Sequence, residues 1–241
     1  MSGTVLALVG ARSGSKSVTD KNVRPLAGHP LLAWSVACAR RCDRIDRVIL
    51  STDSEDYAGV GRRYGAEVPF LRPRELATEQ SVDTGFIVHT LDWLANRGEE
   101  PEFVVHLRPT TPLRRPAVVD GAVDAFRTAT DATALRSVHE MAESAYKTFE
   151  IVNGLLRAVG SPSISVEDTN APRQSFPTTY VGNGYVDVLR TASIRSSGML
   201  HGERVVPHLT DVVPEIDGPA DLEYLEYLAG KSRDLVKELF G

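Results

Sequence analysis

Residues 5–9, Val-Leu-Ala-Leu-Val, run directly into the loop GARSGSKSVTDKN at 10–22, and an apolar, helix-like run follows at 30–40. A short continuous apolar run bounded by small polar residues reads as a buried strand. The order is therefore strand, basic loop, helix. In an open α/β sheet such a junction lies at the carboxyl end of a strand, where ligands bind. Small residues let the backbone approach a ligand closely. Arg12, Lys16 and Lys21 face a single acid, Asp20, within the loop. Backbone amides with cations suit a polyphosphate. The spacing fits neither GxxxxGK followed by Ser or Thr nor GxGxxG, so phosphate binding stands beside the plainer alternative of a basic surface loop.

The rest of the chain repeats the same alternation. Strands are expected at 47–52, 67–70, 103–107, 134–138, 185–189 and 204–207, and helices at 55–64, 81–93, 116–128, 219–229 and the C-terminal DLVKELFG. Gly65 is placed as a helix C-cap, and Pro116 fits the first helical position. The expected fold class is α/β, a mostly parallel twisted sheet flanked by helices. A single domain, 1–241, suits the length. Residues 139–180 break the pattern with Gly154, Gly160, Pro162, Pro172 and Pro177 and read as an excursion from the core.

The net charge of −5 does not advertise nucleic acid, so any anion site must be a local basic cluster. No apolar run approaches about 18 residues, and no membrane span is expected. The start of the chain lacks a charged segment and a cleavage site, which makes the cytoplasm the default. Cys38 and Cys42 share a helical face and read as reduced, packed thiols; two ligands alone do not make a zinc site.

Several polar positions carry alternatives. Asp53 follows a strand and reads first as a helix N-cap. Asp83 and Thr84 either cap a first turn or face a nucleotide. His89 reads as a packed histidine. Arg108 either binds a ligand anion bidentately or pairs with an acid of the chain. Asp187 reads as facing water. Glu215 and Asp217 alternate around Ile216 and point the same way. They either hold Mg²⁺, which prefers oxygen ligands, or are solvated acids, with Asp217 and Asp221 capping 219–229.

The opening VLALVGARSGSKSVTDKNVRPLAGHPLLAWSV resembles that of the CMP-sugar synthetases, the acylneuraminate cytidylyltransferases and their relatives. Arg12, Gly14, Ser15, Lys16, Lys21, Asn22, Leu26, Gly28, Pro30, Leu31 and Trp34 fall in one register with ARxGSKxxxxKNxxxLxGxPLxxW. The resemblance continues through the Asp53 block, the PTTPLR block at 109–114 and the Asp217 block, to about Leu228. It implies a nucleotide-diphospho-sugar transferase-like, Rossmann-like sheet, with 139–180 as a dimerisation arm reaching the partner's active site. It implies CMP transfer from CTP to an acidic acceptor, most directly a nonulosonic sugar, with release of pyrophosphate. A phosphonate or 3-deoxy-octulosonate acceptor is the alternative within the family, and a non-catalytic nucleotide-binding module the alternative outside it.

The roles that the resemblance implies are as follows. Arg12, Lys16, Lys21 and Asp217 would be catalytic. Ala11, Arg12, Ser13, Gly14, Ser15, Asn22, Arg72, Thr78, Pro109 and Thr110 would bind nucleotide. Arg108, Thr111, Arg173, Gln174 and Asn183 would bind the acceptor, and Asp217 with Glu215 would hold Mg²⁺ (or Mn²⁺). The chain departs from the pattern at Arg108 (usually Gln), at Ser144-Ala145-Tyr146 before Lys147 (often His-Pro), at Val181-Gly182 (usually Arg-Pro) and at Glu215 (usually Asp).

Overall fold

The first strand, β1 (Val5–Gly10), is apolar throughout because helices cover both of its faces. Val5, Ala7 and Val9 join one core cluster, and Leu6 and Leu8 the other. That is the two-residue alternation of a strand sorted between two buried faces. The structure, a computed structural model, describes residues 3–161 and 163–241. Pro162 therefore lies outside the described residues.

After β1 come the short strands β2 (Pro25–Leu26) and β3 (His29–Pro30), α1 (Leu31–Arg41), β4 (Arg47–Ser51), α2 (Glu55–Arg63), α3 (Asp83–Ala95), β5 (Phe103–Leu107) and α4 (Pro116–Thr128). Then follow β6 (Ala134–Glu140), β7 (Phe149–Val152), β8 (Leu155–Ala158), β9 (Tyr180–Arg190), α5 (Thr191–Ser197), β10 (Val205–Leu209), α6 (Pro219–Lys231) and α7 (Arg233–Phe240). Six strands form one sheet in the order β10-β6-β9-β5-β1-β4. β9 is antiparallel to both neighbours, and the other pairings are parallel. The expected α/β class and mostly parallel sheet are therefore present.

The larger core packs Trp34 of α1, Phe126 of α4, Leu225 of α6 and Leu235 of α7 on one face of the sheet. The smaller sets Phe86, Ile87 and Leu91 of α3 and Ile194 of α5 on the other. Cys38 and Cys42 are free and buried, as expected of packed thiols. Gly65 adopts φ 91° just past α2, a left-handed position that favours glycine at a helix end.

Several expectations need correction. Residues 67–70 form no strand; Glu67 makes only an isolated bridge to Ile49. α1 begins at Leu31, because Pro30 is extended at ψ 142° and serves as its N-cap. α3 begins at Asp83 rather than 81. β6 and β9 are longer than expected and pair out to Glu140 and Tyr180, so the excursion is rooted in the sheet by its own two strands. α5 has no sequence counterpart in the reading above. Its TASIRSS is rich in hydroxyl side chains that compete for backbone bonds, which hides a helix from propensity.

Phe126 is fully buried and packs edge-on against Phe103, with ring centres 5.1 Å apart. Phe126→Ala should cost ~3–5 kcal/mol, and at about 2–4 °C per kcal/mol for a chain of this size a melting scan should register the loss as a clearly lowered Tm.

Candidate active site

The carboxyl ends of β1 and β5 open into a cavity of about 210 Å³. That is less than the ~300–1,000 Å³ of a drug-sized site, so the cavity encloses only part of a nucleotide. Arg12, Ser15, Lys21 and Asn22 of the 10–22 loop form one wall. Leu76, Val82, Asp83 and Phe86 stand opposite. His106 and Arg108 to Thr110 close the base.

The loop is tied down from behind. Ser13 donates to Asp53 through its backbone N–H at 2.8 Å and its hydroxyl at 2.7 Å. This corrects the capping role expected of Asp53: Ser54 is the N-cap of α2 and accepts from the Tyr57 N–H. Two donors from one residue, on a charged acceptor, outweigh a cap that the neighbouring serine can supply. It also means that Ser13 is turned toward the protein. Asn22 donates to the Arg12 carbonyl at 2.9 Å and so fixes the loop's two ends together. The Ala11 N–H donates to Ser51 O, continuing the sheet. Gly14 takes φ 69° in open space. Lys16 sits at the exposed tip and pairs with Glu79 across the loops at 2.7 Å. Thr78 bonds to Ser81 and is absent from the described cavity wall.

Two buried arginines shape the interior. Arg72 lies 4.1 Å above the Phe86 ring and donates to Ser51 O and Oγ at 2.7 and 3.1 Å. Burial pushes its guanidinium down to about 10. Arg114, a residue to which the sequence assigned no role, is fully buried and among the described residues forms no ion pair. It donates to the carbonyls of Arg108 (2.7 Å), Gly184 (2.9 Å) and Tyr185, and to Ser35 Oγ (3.0 Å). Its burial likewise lowers it to about 10. Its place in the PTTPLR block was the available signal. Gly184, at φ 63°, passes so close to Thr111 that a Cβ would lie 3.2 Å from Thr111 Oγ1. Thr111 is itself fully buried beneath the loop.

Arg108 takes the second of its two readings: Nη1 donates to Asp187 at 2.8 Å and Nη2 to Asp83 at 3.0 Å. Asp187, expected to face water, is instead fully buried. The long antiparallel β9 is central in the sheet, so its side chains point into packed layers rather than solvent. Burial alone would raise the Asp187 carboxyl; His201, 3.5 Å away, and the charge of Arg108 overcome this and hold it well below the carboxylate range. Next to it, burial and then Arg108 depress His106 to about 4, so this imidazole is neutral near pH 7. His89 packs edge-on against Phe70, as a packed histidine would.

The acid segment meets the loop directly. Lys21 Nζ donates to Ile216 O at 2.8 Å, and Thr110 donates to Glu215 Oε1 at 2.8 Å. Ile216 is buried between two exposed acids, Glu215 and Asp217. Asp221, not Asp217, caps α6, accepting from the Asp217 and Gly218 N–H groups. The Asp217 carboxylate is therefore left out of the capping. Two exposed carboxylates beside a lysine-lined cavity form a hard oxygen donor set that fits Mg²⁺, which keeps several waters and is completed by phosphate oxygens. Among the described residues no group of three or more His, Cys, Asp or Glu is placed to hold a metal by itself.

The acceptor residues expected from sequence are not brought together. Arg108 lies at the cavity and Thr111 is buried behind it, whereas Arg173 and Gln174 line a separate hollow in the excursion. There Arg173 pairs with Glu140 at 2.6 Å. Asn183 is buried, donating to Thr210 at 2.6 Å and accepting from the Tyr185 N–H. Lys147 donates to Ala171 O in the same excursion.

A cytidylyltransferase family model matches residues 6–172. The chain belongs to this family. The CMP-N,N'-diacetyllegionaminic acid synthase of Legionella pneumophila is 28% identical over 93% of this chain and 95% of its own length. The N-acylneuraminate cytidylyltransferase of Escherichia coli is 36% identical over 52% of this chain and 28% of its own. The pseudaminic acid cytidylyltransferase of Campylobacter jejuni is 30% identical over 50% of this chain and 52% of its own. The fold is shared with CMP:2-keto-3-deoxy-manno-octonic acid synthetase, solved with CTP, at a TM-score of 0.69 and 15% identity over 95% of this chain and 99% of that one. A cytidylyltransferase is a nucleotidyltransferase, and the strand-end loop and cavity are where this fold class binds its ligand.

Two outcomes follow from the geometry. Asp53→Ala releases both Ser13 bonds, each a charge-assisted contact of ~1.5–3 kcal/mol; CTP affinity measured by calorimetry should fall roughly tenfold, the equivalent of one such contact at ~1.4 kcal/mol per decade. Asp187→Asn breaks a buried pair, which costs ~3–5 kcal/mol near neutral pH. Because the folded carboxyl lies below its unfolded value of about 3.9, its contribution is present above that pH and is lost as pH falls further. The stability gap between wild type and variant in urea titrations should therefore be constant from about pH 7 to 5 and narrow below about pH 4.

Proposed function

We propose that the chain transfers CMP from CTP to a nonulosonic acid, releasing pyrophosphate. The Lys21–Ile216 bond carries this reading, because it ties the cationic loop that lines the cavity to the segment that carries the Glu215 and Asp217 acids. The relatives named for legionaminic, N-acylneuraminic and pseudaminic acids support the acceptor class.

The acceptor's anomeric hydroxyl oxygen attacks the α-phosphorus. A new P–O bond forms, the α–β anhydride P–O bond breaks, and pyrophosphate leaves with the bonding electrons; the hydroxyl proton passes to solvent. Such transfer needs positioning and charge stabilisation above all. Arg12 and Lys21 face the triphosphate. Lys16 joins them by leaving Glu79, an exchange that costs little because exposed pairs are worth ~0–1 kcal/mol. Ser15 and Asn22 add hydrogen bonds. Mg²⁺ (or Mn²⁺), held by Asp217 with Glu215 beside it, supplies charge neutralisation at the phosphate oxygens when bound.

Arg108 already satisfies two carboxylates, so its part at the acceptor is to shape the wall rather than to neutralise an anion. That task falls to Arg173, which reaches a cavity only if a second copy supplies it. The β7–β8 hairpin, with Ile151 and Leu155 exposed by 75% and 74%, supports a homodimer contact. No described helix is long and apolar enough to cross a membrane; a cytoplasmic setting belongs to this proposal.

Pyrophosphate release with CTP and Mg²⁺ tests the reading. N,N'-diacetyllegionaminic, N-acetylneuraminic and pseudaminic acids should be compared with 3-deoxy-octulosonate and 2-aminoethylphosphonate. Turnover with one nonulosonic acid is the expected result; turnover with the phosphonate alone would refute the acceptor class. Asp217→Asn should lower kcat more than tenfold at saturating Mg²⁺, and a smaller loss would remove Asp217 from the metal site.

A further inference from the structure

The cavity is a poor home for a carboxylate. Arg12 and Lys21 line it to receive phosphates, yet Asp83 lines it too, and among the described residues it is the one acid in the wall. A carboxylate beside a polyanion is repelled. It is useful there only if it faces a part of the ligand that donates hydrogen bonds.

Three observations fix what that part is. First, Asp83 is held. Arg108 Nη2 occupies its Oδ2 at 3.0 Å, and Arg108 is anchored in turn by the fully buried Asp187. Oδ1 has no hydrogen-bond partner among the described residues, so one acceptor oxygen is presented at the cavity. Second, the surroundings suit a flat ring. Leu76, Val82 and Phe86 supply apolar wall, on the side facing the phosphate-binding loop. Third, a donor shares the cavity with the acceptor. Arg72 lines it too, with Nε and Nη2 given to Ser51 and Nη1 without a hydrogen bond among the described residues. An acceptor and a donor in one cavity match the pairing edge of cytosine, where an exocyclic amine adjoins two acceptor atoms. Uracil presents a carbonyl oxygen in place of the amine, and a carboxylate has no proton to give it.

We propose that Asp83 selects the nucleobase, its free oxygen accepting from the exocyclic amine of cytosine while Arg108 holds the carboxylate in place. This rests on the reading that the cavity takes CTP. The Asp83–Arg108–Asp187 chain then makes Arg108 a positioning residue for base selection.

The decisive experiment is calorimetric titration of CTP and UTP into the full chain with Mg²⁺ and no acceptor, for wild type, Asp83→Asn, Asp83→Ala and Lys21→Met. Arg108 only donates, so in Asp83→Asn the amide oxygen must turn to Arg108 and the NH₂ group to the ligand. The variant then offers a donor where the wild type offers an acceptor. The CTP:UTP affinity ratio should fall at least tenfold, the size of a good base-reading contact, with UTP binding gained. Asp83→Ala leaves Arg108 its bond to Asp187 and should lose CTP affinity while leaving UTP unchanged. Lys21→Met should weaken both nucleotides alike. Equal weakening of CTP and UTP by both Asp83 variants would overturn the proposal and assign Asp83 to a ribose hydroxyl or to structure. An unchanged ratio would overturn it as well. A wild type that binds neither nucleotide would refute the CTP reading itself, and a wild type that binds CTP while the Asp83 variants keep full selectivity would refute only the role of Asp83.

Discussion

A buried guanidinium that among the described residues forms no ion pair holds this site in one arrangement. Arg114 donates to the carbonyls of Arg108, Gly184 and Tyr185 and to the hydroxyl of Ser35. These groups belong to the end of β5, to β9 and to α1. An unpaired buried cation is tolerable only when its donors are satisfied, so each of these three elements must stay where it is. Loss of any one acceptor would leave a charged donor bare in the interior. The loop that carries Pro109 and Thr110 hangs from this arrangement, and Thr110 in turn meets Glu215. The stiffness of the acid segment thus begins at a residue that touches no ligand.

Charge is distributed in two tiers. The inner tier, Arg114, Arg108, Asp187 and Asp83, is committed to the protein. The outer tier, Arg12, Lys16 and Lys21, is bonded only to carbonyl or exposed partners and can turn to a ligand at small cost. A chain with net charge −5 can present a cationic cavity because Arg108 neutralises Asp83 and Asp187 while the outer cations remain available. The same division explains the gap in the acceptor set. Arg173 is neutralised by Glu140 in a hollow of its own, away from the cavity.

Much of this was legible in the sequence. β1 and the 10–22 loop were readable because a doubly covered strand is uniformly apolar and a strand-end loop must be small and polar. Glu215 and Asp217 were readable because alternation about a buried Ile216 survives even where no regular strand forms. What stayed hidden was pairwise. Asp53 looks like a cap in one dimension, and only the fold brings Ser13 to it from forty residues away. Asp187 looks like an outward residue of an alternating strand, but β9 lies between β5 and β6, and both faces of that position are covered. Arg108 could not be assigned without knowing that its partners lie on α3 and β9. α5 was missed because its stability comes from Ile194 packing against the smaller core, not from its residues' own preference.

β9 has a consequence of its own. It is one unbroken strand, Tyr180–Arg190, whose first three residues are exposed beside the excursion and whose later residues are buried in the sheet. The buried part carries the Gly184 and Tyr185 carbonyls that Arg114 grips and the Asp187 that anchors Arg108. The exposed and buried parts share one continuous backbone, so a displacement of the excursion is carried toward those carbonyls through Gly184, where the pairing with β6 shifts register. Under the proposed homodimer, contact between copies and the geometry of the cavity would be linked through this one strand. Substitutions in the exposed hairpin, remote from any reacting atom, would register in turnover as well as in assembly.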